Sequence, residues 1–404
     1  MRIAAATWNC KLIAGTETYL REVLPRLHSV GHELALVCET ASPVDRASIV
    51  TNAEVPTWCV DDLGLEEVLK RLKSWRPDVL FVNCPSQPTL EETLLDSAPA
   101  VLLAHNYHGT CISGFKATRW PAAEPCSRKF GAACLLQYFP RRCGGLNPLT
   151  MWRLYQNQSA RLTLLPRYRL VLTLSEHMRQ EYVKHGLPPE RVRKLPPLGF
   201  AELPRPGDPE RKRAAGAPWR LLYLGRIEFL KGVHLLIEAL PEAAKGLNRP
   251  LELDLAGEGP EREALERRSA QLMAEVPQVQ VRFHGWIGRE RRERLLSEVD
   301  LLVVPSIWPE PFGLVGLEAA RHGVPAVAFD VGGIRDWLHD GVTGVLADAR
   351  PPRSSSLARA MIQCLGEPQR YARMRCKSLE IAAQASLTTH VKELDGALQE
   401  AISG

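Results

Sequence analysis

The chain has 404 residues, of which 45% are apolar and 24% charged, with a net charge of +5 at neutral pH. That length exceeds one ordinary core and fits two domains, and the composition excludes a chain that is mostly disordered. No uninterrupted apolar run of about twenty residues occurs, so a transmembrane span is not expected, and the N-terminal MRIAAATWNC reads as a first strand and not as a signal peptide.

In chain order, residues 2–7 form a strand, 17–30 have helical spacing, and Gly31 sits where that helix would stop. Further apolar strands are expected at 33–38, 79–83, 101–104 and 171–175. Strands separated by amphipathic helices imply a parallel, doubly wound sheet. A proline-rich, charged stretch at 201–218 reads as a linker. The alternation then restarts, with strands at 220–224, 251–256, 279–284, 301–305 and 324–329 and helices between them. From about residue 356 the chain is helical. The expected organisation is an N-terminal domain at 1–200 with a basic, cysteine-bearing insertion at 108–150. A second domain follows at 219–404, whose last helices pack back on the first. Two such halves are expected to bind ligand outside the carboxyl ends of their strands.

Charge is uneven. Residues 101–200 hold fifteen Lys and Arg against four Glu and no Asp, a balance of +11. Two readings stay open: a solvated basic face, or a surface meeting an anionic membrane, a lipid diphosphate or an acidic saccharide. Phe115, Trp120, Phe130, Tyr138 and Phe139 lie among these cations and suit a membrane interface. Nucleic acid is not expected, because no helix-turn-helix, zinc-finger or stacking-platform pattern accompanies the charge. Ten cysteines without a secretion signal point to a reducing, cytoplasmic location, with peripheral membrane contact as the second reading of the basic segment.

Three features of the second half carry chemistry. Gly225-Arg226-Ile227-Glu228-Phe229-Leu230-Lys231-Gly232 follows a strand and puts two cations at its end, a receptacle for a diphosphate. Glu310-Pro311-Phe312-Gly313-Leu314 precedes a helix expected to begin near Gly313, with Glu318 about two turns on. Its N–H groups favour negative charge, and its carboxylates are acceptors for hydroxyls. Gly332-Gly333 follows another strand.

These motifs, with Gly257-Glu258-Gly259-Pro260 and Phe283-His284-Gly285, resemble in order and spacing the family-4 retaining glycosyltransferases. The resemblance implies an α/β protein of GT-B architecture, two doubly wound Rossmann-like domains facing across a cleft. It implies that Arg226 and Lys231 neutralise a donor diphosphate and that Glu318 holds ribose hydroxyls. Glu310, with the N–H groups of Phe312, Gly313 and Leu314, would position the donor sugar and terminal phosphate. The base would be read by backbone near 284–287. Transfer would retain the anomeric configuration, with cations in place of a catalytic metal. In the first half, Gly15 in Ala14-Gly15-Thr16-Glu17 matches a glycine-rich turn at the donor, here with a single glycine. His105 in Ala104-His105-Asn106-Tyr107 matches a catalytic histidine. Asp336 stands where the family commonly has Glu.

The implied activity is transfer of a hexosyl unit from a nucleoside-diphosphate sugar to a glycan, a lipid-linked saccharide or another glycoconjugate, with no further cofactor. A nucleotide-sugar epimerase of the same plan, which needs no acceptor, is one alternative. A non-catalytic nucleotide-sugar-binding scaffold is another. Cys111, Cys126, Cys134 and Cys143 are spaced C-x14-C-x7-C-x8-C. Packing thiols, a structural zinc and disulfides all remain open for them.

Overall fold

The computed structural model describes residues 1–13, 15–52, 54–199 and 216–403. The chain divides into two compact units. One comprises Met1–Lys116, Ser127–Phe200 and Ser386–Gly404, the other Ala117–Cys126 and Ala201–Ala385. Most of the expected linker, and Ala14 beside Gly15, lie outside the described residues.

The first unit is built on β1 (Arg2–Asn9), β2 (Glu33–Thr40), β3 (Thr57–Cys59), β4 (Val79–Asn83) and β5 (Ala100–Ala104). The chain then passes through a short hairpin, β6 (Ala117–Thr118) and β7 (Glu124–Pro125), before β8 (Leu170–Thr173) and β9 (Val192–Lys194). The sheet order is β3-β2-β1-β4-β5-β8-β9, with every neighbouring pair parallel. β4 and β5 are buried at every position, so their apolar runs do not alternate. The edge strands β3 and β9 were not expected: with three residues each, they carry too short a pattern to read.

The last helix, Leu387–Ser403, belongs to this unit. Its His390 Nε2 lies 2.8 Å from the Tyr19 hydroxyl, and its Asp395 carboxylate lies 2.8 Å from His32 Nε2. The helix before it, Pro368–Gln384, belongs to the second unit. There Tyr371 donates to the Asp300 carbonyl at 2.9 Å and Arg375 to the Gly323 carbonyl at 3.1 Å.

The second unit contains β10 (Trp219–Leu224), β11 (Leu251–Ala256), β12 (Val279–Gly285), β13 (Leu301–Val304), β14 (Ala326–Phe329) and β15 (Gly344–Ala347). Their order is β12-β11-β10-β13-β14-β15, again all parallel. Strand order reverses between β10 and β13, the place where open parallel sheets bind ligands beyond their carboxyl ends.

The insertion is shared between the units. Its β6–β7 hairpin belongs to the second, while Ile112, Phe130 and Tyr138 form a small core in the first, with Phe139 packed against it. Phe130 and Tyr138 are therefore interior, whereas Phe115 and Trp120 are exposed. The four insertion cysteines are not joined in disulfides, and Cys126 alone of them stands in the second unit. Among the described residues no group of three or more His, Cys, Asp or Glu is placed to hold a metal, so the zinc reading finds no site here. Cys134 and Cys143 instead pack against the Ile112–Phe130–Tyr138 core. No helix among the described residues is long and apolar enough to cross a membrane.

Candidate functional site

Two loops meet at the switch point. β10 ends at Leu224 and leads through Gly225 and Arg226 into the turn Phe229–Lys231; β13 ends at Val304 and leads through Ser306 and Trp308 to Glu310. The Leu230 carbonyl ties them together, accepting from the N–H of Ile307 at 2.8 Å and of Trp308 at 3.3 Å. The Lys231 ammonium thereby reaches Glu310 Oε1 at 2.7 Å and lies 4.8 Å from the centre of the Trp308 ring. It makes a single hydrogen bond among the described residues, out of three N–H donors.

Glu310 is buried and also accepts from the Ser306 hydroxyl at 2.5 Å. Burial pushes its carboxyl up, but the Lys231 charge and the hydrogen bonds from Lys231 and Ser306 outweigh burial and hold it below the usual range. Ser306 and Trp308 were not expected in the site. A serine or tryptophan after a strand has no spacing signature, and only the fold brings them to the carboxylate.

Past Glu310 the chain turns through Phe312, Gly313 and Leu314 into the helix Val315–Ala320, which begins two residues later than expected. Among the described residues the N–H groups of Phe312, Gly313 and Leu314 find no acceptor. Trp337 supports this turn from behind, donating from Nε1 to the Phe312 carbonyl at 2.7 Å. The Gly332-Gly333 pair is explained by the same carboxylate-bearing loop. The Gly333 N–H donates to the Glu310 carbonyl at 2.7 Å. A Cβ on Gly332, whose φ is +58°, would stand 2.4 Å from that oxygen.

Glu318 is buried within the short helix, with Arg292 Nη1 3.4 Å from its carboxylate. Arg292 lies on the helix Arg289–Glu298, a strongly charged stretch in which no one arginine stands out by sequence. Arg226 is exposed and pairs with Glu228 at 2.9 Å, while its carbonyl accepts from the Tyr223 hydroxyl at 2.5 Å. The Gly257–Gly259 and Gly285 motifs stack beside this loop at the ends of β11 and β12. The Gly257 N–H donates to the Gly285 carbonyl at 2.8 Å, and a Cβ on Gly257 would stand 1.8 Å from the Gly225 carbonyl oxygen. His284 Nε2 meets the buried Asp254 at 2.8 Å.

Lys231, Glu310 and the 312–314 turn thus form one cluster, and Glu318, in the helix that follows the turn, forms a second with Arg292 of the helix Arg289–Glu298. Arg226 is on the same loop as Lys231 but engaged at the surface. Gly15 and His105 belong to the first unit. Gly15 opens the helix Gly15–Ser29 after β1. His105 follows β5, its Nε2 3.0 Å from Asn83 Oδ1 at the end of β4 and its ring edge-to-face with Tyr19. Burial, reinforced by nearby His390, lowers its pKa to about 3, so the imidazole is neutral at physiological pH.

Two family descriptions match the two halves: Glycosyltransferase Family 4 over residues 13–197 and Glycosyl transferases group 1 over residues 205–379. The chain is a family-4 glycosyltransferase of GT-B type. The α-D-kanosaminyltransferase of Streptomyces kanamyceticus is 29% identical over 72% of this chain and 76% of its own length. A glycogen synthase of Mycobacterium tuberculosis is 38% identical over 40% of this chain, and the match spans only 38% of that synthase. Among solved structures, the sucrose-phosphate synthase of Thermosynechococcus elongatus matches with a TM-score of 0.72 at 18% identity, over 100% of this chain and 99% of that one. The Anabaena protein HepE, solved with UDP and glucose, matches with a TM-score of 0.68 at 17% identity over 99% of both chains. At that identity the structural likeness establishes the fold alone, and GT-B is the fold of this glycosyltransferase.

Proposed function

We propose that this glycosyltransferase takes a hexosyl unit from a nucleoside-diphosphate sugar and passes it, with retention of anomeric configuration, to a glycan, lipid-linked saccharide or other glycoconjugate. The observation that carries the reading is the pairing of half-buried Lys231 with buried Glu310 at the switch point, next to the N–H groups of Phe312, Gly313 and Leu314. The diphosphate occupies the positive end of this cluster, met by Lys231 and Arg226. Glu310 and the turn position the sugar and terminal phosphate. Glu318, oriented by Arg292, accepts from the ribose hydroxyls.

As the bond from the anomeric carbon to the phosphate oxygen breaks, negative charge grows on the departing phosphate and is met by Lys231 and the fixed N–H groups. The new bond forms between the acceptor oxygen and the same face of the sugar, and the acceptor proton leaves with the nucleoside diphosphate. Stabilisation of this charge by fixed donors is typically worth ~3–4 kcal/mol per donor. The protein side chains supply the positive charge, and the reaction is assigned no metal on that account. From the first unit, His105 is assigned a catalytic role and Gly15 a donor-binding role.

The test is thermal stabilisation by UDP, GDP and ADP in the presence of EDTA, with UDP first because HepE was solved with it. A ligand at a hundredfold excess over its Kd stabilises the fold by ~2.7 kcal/mol. A shift with one nucleotide, lost in Lys231→Ala and Glu318→Ala, supports the donor site. No shift with any of the three would overturn it. NMR of the product anomer then tests retention, and recovery of a glycosylated acceptor separates transfer from epimerisation.

A further inference from the structure

We infer that the outer side of the helix–turn–helix at 133–164, in the insertion of the first unit, docks on the surface of an anionic phospholipid bilayer. Twelve large apolar side chains are exposed among the described residues, and four of them, Leu136, Leu146, Leu149 and Trp152, fall between positions 136 and 152. An even spread would leave that stretch with fewer than one. Leu136, Leu146 and Leu149 are each 77% exposed and Trp152 51%. Isolated exposed apolar residues are ordinary, but a concentration of them marks an interaction surface.

The apolar residues are not the loose end of a misplaced core. Their neighbours Leu135, Phe139, Met151 and Leu154 pack inward on Ile112, Phe130 and Tyr138, so the segment already has its interior. The tip is also fixed. Asn147 caps the helix Pro148–Leu164, its side chain accepting from the N–H of Leu149 at 2.8 Å and of Thr150 at 3.4 Å. Leu149 and Trp152 follow one turn apart on that helix.

Charge selects the occupant. From residue 125 to 175 there is no Asp or Glu, against eight Lys and Arg. Arg161 and Arg167 pair with Glu91 and Asp96, and Arg128, Lys129, Arg142 and Arg153 of the same segment are exposed. Exposed leucines and a tryptophan on a segment that carries cations and no carboxylate side chain match the two layers of a leaflet, hydrocarbon and phosphate. None of these residues belongs to the donor cluster, so the inference stands or falls apart from the reading of the reaction. If both hold, the surface brings the transferase to lipid-borne acceptors.

The experiment is co-sedimentation of the full chain with vesicles of phosphatidylcholine alone and of phosphatidylcholine mixed with phosphatidylglycerol. Wild type is compared with Leu146→Ser/Leu149→Ser and with Arg142→Gln/Arg153→Gln, all at exposed positions. The expected result is binding to the anionic vesicles only, weakening as salt rises. The leucine pair should reduce it about tenfold or more, and the arginine pair by a smaller factor. A blue shift of tryptophan emission on vesicle binding should shrink in Trp152→Phe. The inference is overturned if anionic vesicles do not retain the protein, or if the leucine variant binds as wild type does. It is equally overturned if wild type is a dimer in solution that the leucine variant dissolves, because the face then belongs to a second copy.

Discussion

The Arg119 guanidinium lies 5.4 Å from the centre of the Phe229 ring, although more than a hundred residues separate them in sequence. Arg119 sits in the loop of the β6–β7 hairpin, whose Ala117 and Ala123 pack with Phe229, Leu230, Ile307 and Trp308. The loop that carries Lys231 is therefore braced by a segment from the first half of the chain. An exposed cation–π contact is worth about 0.5–1 kcal/mol. Arg119→Ala should accordingly weaken nucleotide binding by about two- to fivefold, with Arg119→Lys recovering part of it; calorimetric titration measures both.

Lys231→Ala removes the cation from a buried carboxylate. Breaking one side of such a pair costs ~3–5 kcal/mol, and on the proposed mechanism the charge that meets the departing phosphate is lost as well. The melting temperature should fall and turnover drop by about 100-fold or more. Pairing the change with Glu310→Gln should restore much of the melting temperature and none of the turnover. That separation distinguishes packing from chemistry.

The Glu310 carboxyl titrates lower in the folded chain than in the unfolded one. Its contribution to stability is therefore complete above the ordinary value of 4.5 and is lost as pH falls through the lower folded value. Below pH ~4.5, wild type should lose melting temperature more steeply than Glu310→Gln.

His105 works in the same direction for a different reason. With a folded pKa of about 3 it stays neutral while the unfolded chain takes up a proton near 6.5, so stability declines as pH drops from 6.5 toward 3. His105→Gln should flatten that part of the melting curve. The acid limb of kcat should show no break near 6.5 that His105→Gln removes.

Gly332→Ala sets a Cβ against the Glu310 backbone at a positive φ. The left-handed backbone alone costs ~1–2 kcal/mol, and the contact adds to it. Both the melting temperature and nucleotide affinity should fall, since the displaced residue is Glu310 itself.

Much of this architecture was legible because parallel strands buried on both faces leave continuous apolar runs, as β4, β5, β13 and β14 do, whereas β12 alternates and the edge strand β15 was not expected. The three-residue edges β3 and β9 left no such run. Lys231, Glu310 and Glu318 were readable because charged residues at strand ends and beside an apolar helix are costly without a task. Trp337 and Arg292 were not, because each gains its place from a residue distant in sequence, and Ser306 and Trp308, though within four residues of Glu310, carry no spacing signature. The insertion misled in part: its aromatics looked like one surface, but Phe130 and Tyr138 are its interior and the leucines its exterior.

The chain passes between its two units four times, at 116/117, 126/127, 200/201 and 385/386. A cut at the linker would therefore not yield two whole halves. The N-terminal fragment would lack the helix that covers Tyr19 and His32, and would carry a hairpin with nothing to brace. The C-terminal fragment would lose the support beneath Phe229 and carry an orphan helix. Chimeras that exchange donor specificity with a related transferase need to move 117–126 together with the second half and leave 386–404 with the first.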